Sequence, residues 1–135
     1  MKKEYKQLLH DAGLKATKMR GDVLGLFDVG KKPLSVAQIK KNLQSADVAT
    51  LYRIVEIFVD KGILCSVHVC GPRHFFELAA LPHHHHIVCT KCGIIEDVSD
   101  CNLTKVIKNA EIASTKFNKI TEHTFELFGL CKKCQ

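Results

Sequence analysis

Two Cys-x-x-Cys pairs, Cys89-Thr-Lys-Cys92 and Cys131-Lys-Lys-Cys134, constrain this chain more than any other feature. A tetrahedral ion needs four ligands, and each Cys-x-x-Cys pair spans one tight turn that aims both thiolates at one point. The pairs therefore predict a structural zinc site made of Cys89, Cys92, Cys131 and Cys134. Such a site is closed, so it contributes folding energy rather than catalysis. It also obliges the chain between the pairs to fold back on itself.

Seven cysteines could instead form disulfides, but only in an oxidising compartment. The start, Met1-Lys-Lys-Glu-Tyr-Lys, has charge without an apolar stretch behind it, so no signal peptide is expected. No apolar run approaches the roughly 18 residues needed to span a bilayer. A cytoplasmic protein with reduced thiols and no membrane partner is the expectation. Charge is unevenly spread. Residues 1–80 hold most of the excess of Lys and Arg behind the formal +6, whereas residues 81–135 are nearly balanced. A basic first half suggests a polyanionic partner.

That half reads as helical. Tyr5, Leu8, Leu9 and Ala12 recur at helical spacing before Gly13, and Met19, Val23, Leu26 and Phe27 repeat the pattern up to Gly30. Ser35-Val-Ala-Gln38 is a capping box for a short third helix. Gln44-Ser-Ala forms a turn, and Asp47 caps a fourth helix from Val48 to about Lys61. A short helix, a tight turn and a second amphipathic helix describe a helix-turn-helix. Two extended runs follow, Ile63–Val69 and His74–Leu78, joined by Cys70-Gly-Pro-Arg73 as a hairpin turn. Together these predict a winged helix whose fourth helix enters the major groove with Thr50, Leu51, Tyr52 and Arg53 leading.

His83-His-His-His86 runs straight into Ile87-Val88-Cys89. In an extended segment alternate side chains point to opposite faces. His84 and His86 would share one face and His83 and His85 the other, seeding two metal sites back to back. Glu77, His68, His74, Asp97, Cys101 and His123 are further candidate ligands. His123 alternates with Phe125 and Leu127, which places it on their expected inward face. Ile94–Val98 and Ile120–Phe128 alternate as strands, and Leu103, Val106, Ile107 and Ala110 suggest a covering helix. The fold class is thus α+β, a winged helix-turn-helix followed by a small α/β unit with a four-cysteine structural zinc site.

Gly13-Leu-Lys-Ala-Thr17 with Arg20, Ala49-Thr-Leu-Tyr-Arg53, Phe76-Glu-Leu78, the histidine run with Cys89-x-x-Cys92-Gly, and His123 through Gly129-Leu-Cys131 resemble the ferric uptake regulator family, in family order and over nearly the whole chain. The resemblance implies a DNA-binding domain over 1–80, a hinge at about 79–83 and a dimerisation and metal-binding domain over 81–135. It implies a non-enzymatic repressor that binds palindromic operator DNA as a homodimer when a regulatory divalent metal is bound. Apart from metal ions, no small-molecule substrate is expected. By matching motif, Cys89, Cys92, Cys131 and Cys134 hold structural zinc. Glu77, His84, His86 and Asp97 form the regulatory site, with His68 or His74 in the wing as a candidate in place of a ligand absent from Lys32-Pro-Leu-Ser35. His83, His85 and His123 match a further site, for which only Asp100 or Cys101 stands near the expected acidic position. Lys15, Arg20, Thr50, Tyr52 and Arg53 face DNA. The regulatory ion is zinc or ferrous iron, with manganese an alternative. Competing readings are a peroxide-sensing member of the same family, a zinc-dependent hydrolase and a zinc-ribbon interaction module.

Overall fold

A computed structural model describes all residues except His68, Cys70, Gly71, Asp100 and Cys101. The expected ligands His68 and Cys101, and the first half of the hairpin turn, lie outside the described residues. The chain divides into two compact units, Met1–Leu81 and Pro82–Gln135.

The first unit orders four helices before a hairpin: α1 (Lys3–Asp11), α2 (Lys18–Gly30), α3 (Val36–Asn42), α4 (Val48–Asp60), β1 (Leu64–Val67) and β2 (Phe75–Leu78). Local chemistry sets the helix starts. The Ser35 N–H donates to Gln38 Oε1 at 2.9 Å and the Gln38 N–H returns to Ser35 Oγ at 3.3 Å, completing the capping box. The Asp47 carboxylate accepts the Thr50 N–H at 3.1 Å and so begins α4. Between them the Lys40 ammonium donates to the Gln44 and Ala46 carbonyls at 2.6 and 2.8 Å, which fixes the turn and hence the entry of α4. Leu51, Ile54, Val55 and Phe58 give α4 a buried stripe, while Tyr52, Arg53 and Glu56 stay exposed. The stripe packs into a core with Leu9, Val23, Leu24, Phe27 and Ile39. β1 and β2 pair antiparallel, Cys65 opposite Glu77, and Leu34 bridges Phe76 to extend the wing by one residue pair.

In the second unit β3 (His85–Cys89) lies between β4 (Ile95–Val98), antiparallel, and β5 (Glu126–Gly129), parallel, with α5 (Thr104–Ala113) in the crossover. Among its described residues the buried set is small: His85, His86, Val88 and Cys89.

Several expectations need correction. The run Ile120–Phe128 forms a strand only from Glu126, because its partner β3 begins at His85 and offers no ladder to residues before it. The expected covering helix forms as α5 but buries none of its residues. Phe125 and Leu127, expected inward, remain 40% and 36% exposed. In the wing, β1 covers Leu64–Val67 among the described residues, and β2 starts at Phe75. The second helix ends at Gly30 as expected, and left-handed Lys31, φ 45°, caps it with its N–H on the Phe27 carbonyl.

Candidate metal centres and nucleic-acid interface

Cys89 ends β3, and its carbonyl accepts the Gly93 N–H at 2.9 Å. Gly93 sits at φ +76°, a conformation that a Cβ disfavours, so the turn brings Cys92 back beside Cys89. The second pair makes a matching turn, with the Cys134 N–H on the Cys131 carbonyl at 2.9 Å. Cys89 and Gly129 are register partners, and strand pairing thereby delivers both turns to one end of the sheet. All four Sγ atoms lie within 4.8 Å of one another, Cys92 and Cys131 at 3.7 Å. Thiolates about 2.3 Å from a central zinc are separated by about 3.8 Å in a tetrahedron. The four cysteines therefore fit a tetrathiolate ion.

Electrostatics agree with that fit. Backbone N–H groups of Cys92 and Cys131 point at the Cys89 sulfur and lower its pKa to about 6. The Cys134 thiol, hydrogen-bonded to Cys131 and partly buried, is pushed up to about 12. A metal-free cluster thus holds its Cys134 proton at neutral pH, whereas Cys89 is already largely thiolate. Zinc uptake at pH 7 should release protons, and zinc affinity should fall as pH drops, most steeply below about 6 where Cys89 is also protonated. Calorimetry in buffers of different ionisation enthalpy measures this. A heat of binding independent of the buffer would contradict it.

The histidine run carries the second arrangement. His83 Nε2 lies 3.2 Å from His85 Nε2, and His84 Nε2 lies 3.1 Å from His86 Nε2. Two imidazoles sharing one tetrahedral ion at about 2.0–2.1 Å are about 3.3 Å apart, so both pairs sit at chelating separation. The Pro82 carbonyl accepts a hydrogen bond from His84 Nδ1 at 2.6 Å. This places the His84 proton on Nδ1 and leaves the Nε2 lone pair facing His86, the tautomer a metal ligand needs. Asp97, register partner of His86, brings Oδ1 to 3.6 Å from His86 Nε2. On the other face the His123 ring lies 5.0 Å from His83 and 5.3 Å from His85, centroid to centroid, outside any strand. Phe125 meets His85 edge-on at 5.4 Å. Burial, then the neighbouring His83 and His123, lowers the His85 pKa, which favours the neutral, ligating form. Glu77 is buried on β2 of the first unit, opposite Cys65.

The expected DNA-facing residues lie on the first unit. Tyr52 is 52% exposed and Arg53 is exposed beside it, on the face of α4 away from the core. Thr50 is tied to the Asp47 cap through its N–H and hydroxyl, which makes it the anchor of that helix end. Lys15 lines a concavity of about 640 Å³ with Lys6 and His10. Arg20 Nη1 donates to the Lys15 carbonyl at 2.8 Å, so Arg20 holds the loop that presents Lys15. The sequence reading missed Lys40, whose role in the turn depends on carbonyls that no residue pattern reveals.

A winged helix-turn-helix joined to a unit bearing a tetrathiolate cluster and paired imidazoles defines a metal-responsive DNA-binding regulator. Residues 11–128 match the ferric uptake regulator family. The ferric uptake regulation protein of Legionella pneumophila is 33% identical over 139 residues, covering 98% of this chain and 99% of that protein. Among solved structures, the Vibrio cholerae ferric uptake regulator superposes with a TM-score of 0.81 at 32% identity, over 93% of this chain and 98% of that one. The Francisella tularensis ferric uptake regulator with iron gives 0.78 at 25% identity, over 90% and 95%. The chain belongs to the ferric uptake regulator family.

Proposed function

We propose that the chain is a homodimeric repressor that binds palindromic operator DNA when a divalent ion occupies its regulatory site. The observation that carries this reading is the back-to-back pairing of imidazoles along residues 83–86, with the His84 tautomer set for ligation. In this reading residues 1–80 grip DNA, and residues 81–135 pair the protomers and hold metal. Cys89, Cys92, Cys131 and Cys134 hold structural zinc. Glu77 joins His84, His86 and Asp97 as the regulatory set, with His68 as a further candidate ligand. His83, His85 and His123 form the additional site, with Cys101 as its candidate fourth ligand. When bound, the ion supplies a positive centre that ties ligands from separate segments to one point. The ligands do the rest: they restrict the hinge at about 79–83, so that fewer domain separations are sampled and the DNA-competent one gains population.

The homodimer is supported by what the second unit leaves uncovered. Val106 and Ile112 of α5 are 61% and 82% exposed, and Ile94, Phe117 and Leu130 are also exposed. A unit this small with so much apolar surface in water gains from a second copy. Two recognition helices then read half-sites about 34 Å apart. The reading assigns no catalytic residue, and free thiols at the metal cluster suit the reducing cytoplasm. Zinc or ferrous iron is the regulatory ion, manganese the alternative: the imidazole and carboxylate set suits all three.

The test is retention of a duplex enriched from a random library, titrated separately with zinc, ferrous iron and manganese. At least one ion should tighten binding tenfold or more, and a chelator should reverse it. Equal retention under every condition would contradict the reading.

A further inference from the structure

The turn between α3 and α4 is held from two sides. On one side Ala46 is 3% exposed and belongs to the core cluster, and its N–H donates to the Leu43 carbonyl at 2.9 Å. On the other the half-buried Lys40 side chain leaves the last turn of α3, and its ammonium donates to the Gln44 and Ala46 carbonyls at 2.6 and 2.8 Å. Gln44 and Ser45, between these attachments, are exposed. Hydrogen bonds with an ionised donor are roughly twice as strong as neutral ones. Here carbonyls rather than a carboxylate receive the ammonium, so its charge acts on the path of the backbone.

The Ala46 carbonyl belongs to the peptide that enters Asp47, the cap of α4. Asp47 accepts the Thr50 N–H on its carboxylate and the Leu51 N–H on its carbonyl, both at 3.1 Å. Turning the peptide plane between Ala46 and Asp47 re-aims that cap. The start of α4 turns with it, and this is the end that carries Thr50, Tyr52 and Arg53. Base readout tolerates little such movement, because hydrogen bonds to base edges weaken steeply out of line.

We infer that Lys40 is a positioning residue for DNA reading: without touching nucleic acid, it sets the angle at which α4 presents Tyr52 and Arg53. The inference rests on the DNA-binding reading above and adds a control of base discrimination from behind the helix.

The test uses the full-length, metal-loaded protein. Lys40→Met keeps the aliphatic stem and removes both charge and donors. It should bind the enriched duplex roughly tenfold more weakly, the scale of one weakened base contact. A scrambled duplex, bound through phosphates, should lose much less. The slope of log K against log salt should stay parental, whereas loss of a phosphate contact changes it by about 0.9. Lys40→Arg keeps a cation with several donors and should recover most of the affinity. In the free protein the Thr50 and Leu51 amides of Lys40→Met should exchange faster, while those of Val55 and Phe58 keep their protection. The Ala46 anchor remains in this variant; should it still melt early, Lys40→Gln, one bond shorter and uncharged, serves with the same expected direction. Parental affinity in the folded variant overturns the inference while the DNA-binding reading stands. So does an equal loss on both duplexes with a shallower slope, or no recovery in Lys40→Arg. A parent that retains no duplex with any metal sinks that reading and the inference together.

Discussion

Replacing Cys131 with serine should unfold the second unit, Pro82–Gln135, and leave the first unit folded. The asymmetry comes from the two cores. The first unit buries Phe27, Phe58, Leu9, Leu24, Ile39, Leu51 and Leu64 almost completely, in a cluster drawn from all four helices and β1. The second buries Val88 and Cys89 with two imidazoles, and its helix buries nothing. Apolar burial on that scale leaves the ordering entropy of the chain uncompensated. Structural zinc in small domains contributes about 10–16 kcal/mol, comparable to the whole stability of an ordinary domain. Losing one of four ligands should therefore remove most of the second unit's stability. Zinc content should fall by one ion per chain, and amide protection in β3 should vanish, while the helices of the first unit keep theirs. A variant that retains its β3 protection without zinc would show that packing, not the ion, holds this unit.

The second large effect concerns His86. This side chain is buried on β3, 3.1 Å from His84 and 3.6 Å from Asp97. It is the central member of the proposed regulatory set. His86→Ala should remove the metal response, so that operator affinity with metal falls to the metal-free value, a loss of at least tenfold or about 1.4 kcal/mol. His85→Ala supplies the comparison. It lies one residue away on the same strand but faces the opposite side, with His83 and His123. Truncating it should weaken the response less than truncating His86. Both variants should keep the tetrathiolate zinc, which separates a lost ligand from a lost fold. Equal responses in the parent and His86→Ala would refute the assigned regulatory ligands.

Much of this was legible in the sequence because the signals are local. The Ser35–Gln38 capping box, the Asp47 cap and the cysteine turns each depend on a few adjacent residues, and each forms as its spacing requires. His83 pairs with His85 and His84 with His86 as alternation requires, although the strand itself begins only at His85. What could not be read depends on partners distant in sequence. β5 is shorter than its alternation because the length of β3 decides where pairing starts. The apolar stripe of α5 gave no indication that it would remain exposed, since periodicity marks a face without saying what covers it. His123 reaches the imidazoles from an irregular segment, so the strand pattern placed it near the right neighbours for a different structural reason.

The central claim is that an ion at the regulatory ligands selects the DNA-competent pose, whereas the tetrathiolate ion serves only folding. The direct measurement uses protein dialysed against a mild chelator until one zinc per chain remains, with that zinc traced to the four cysteines by its retention in folded His86→Ala and His85→Ala. Duplex affinity is then compared before and after regulatory metal is restored. The account predicts at least a tenfold gain on restoration, reversed by chelator. Equal affinity in the one-zinc and replete proteins would contradict it.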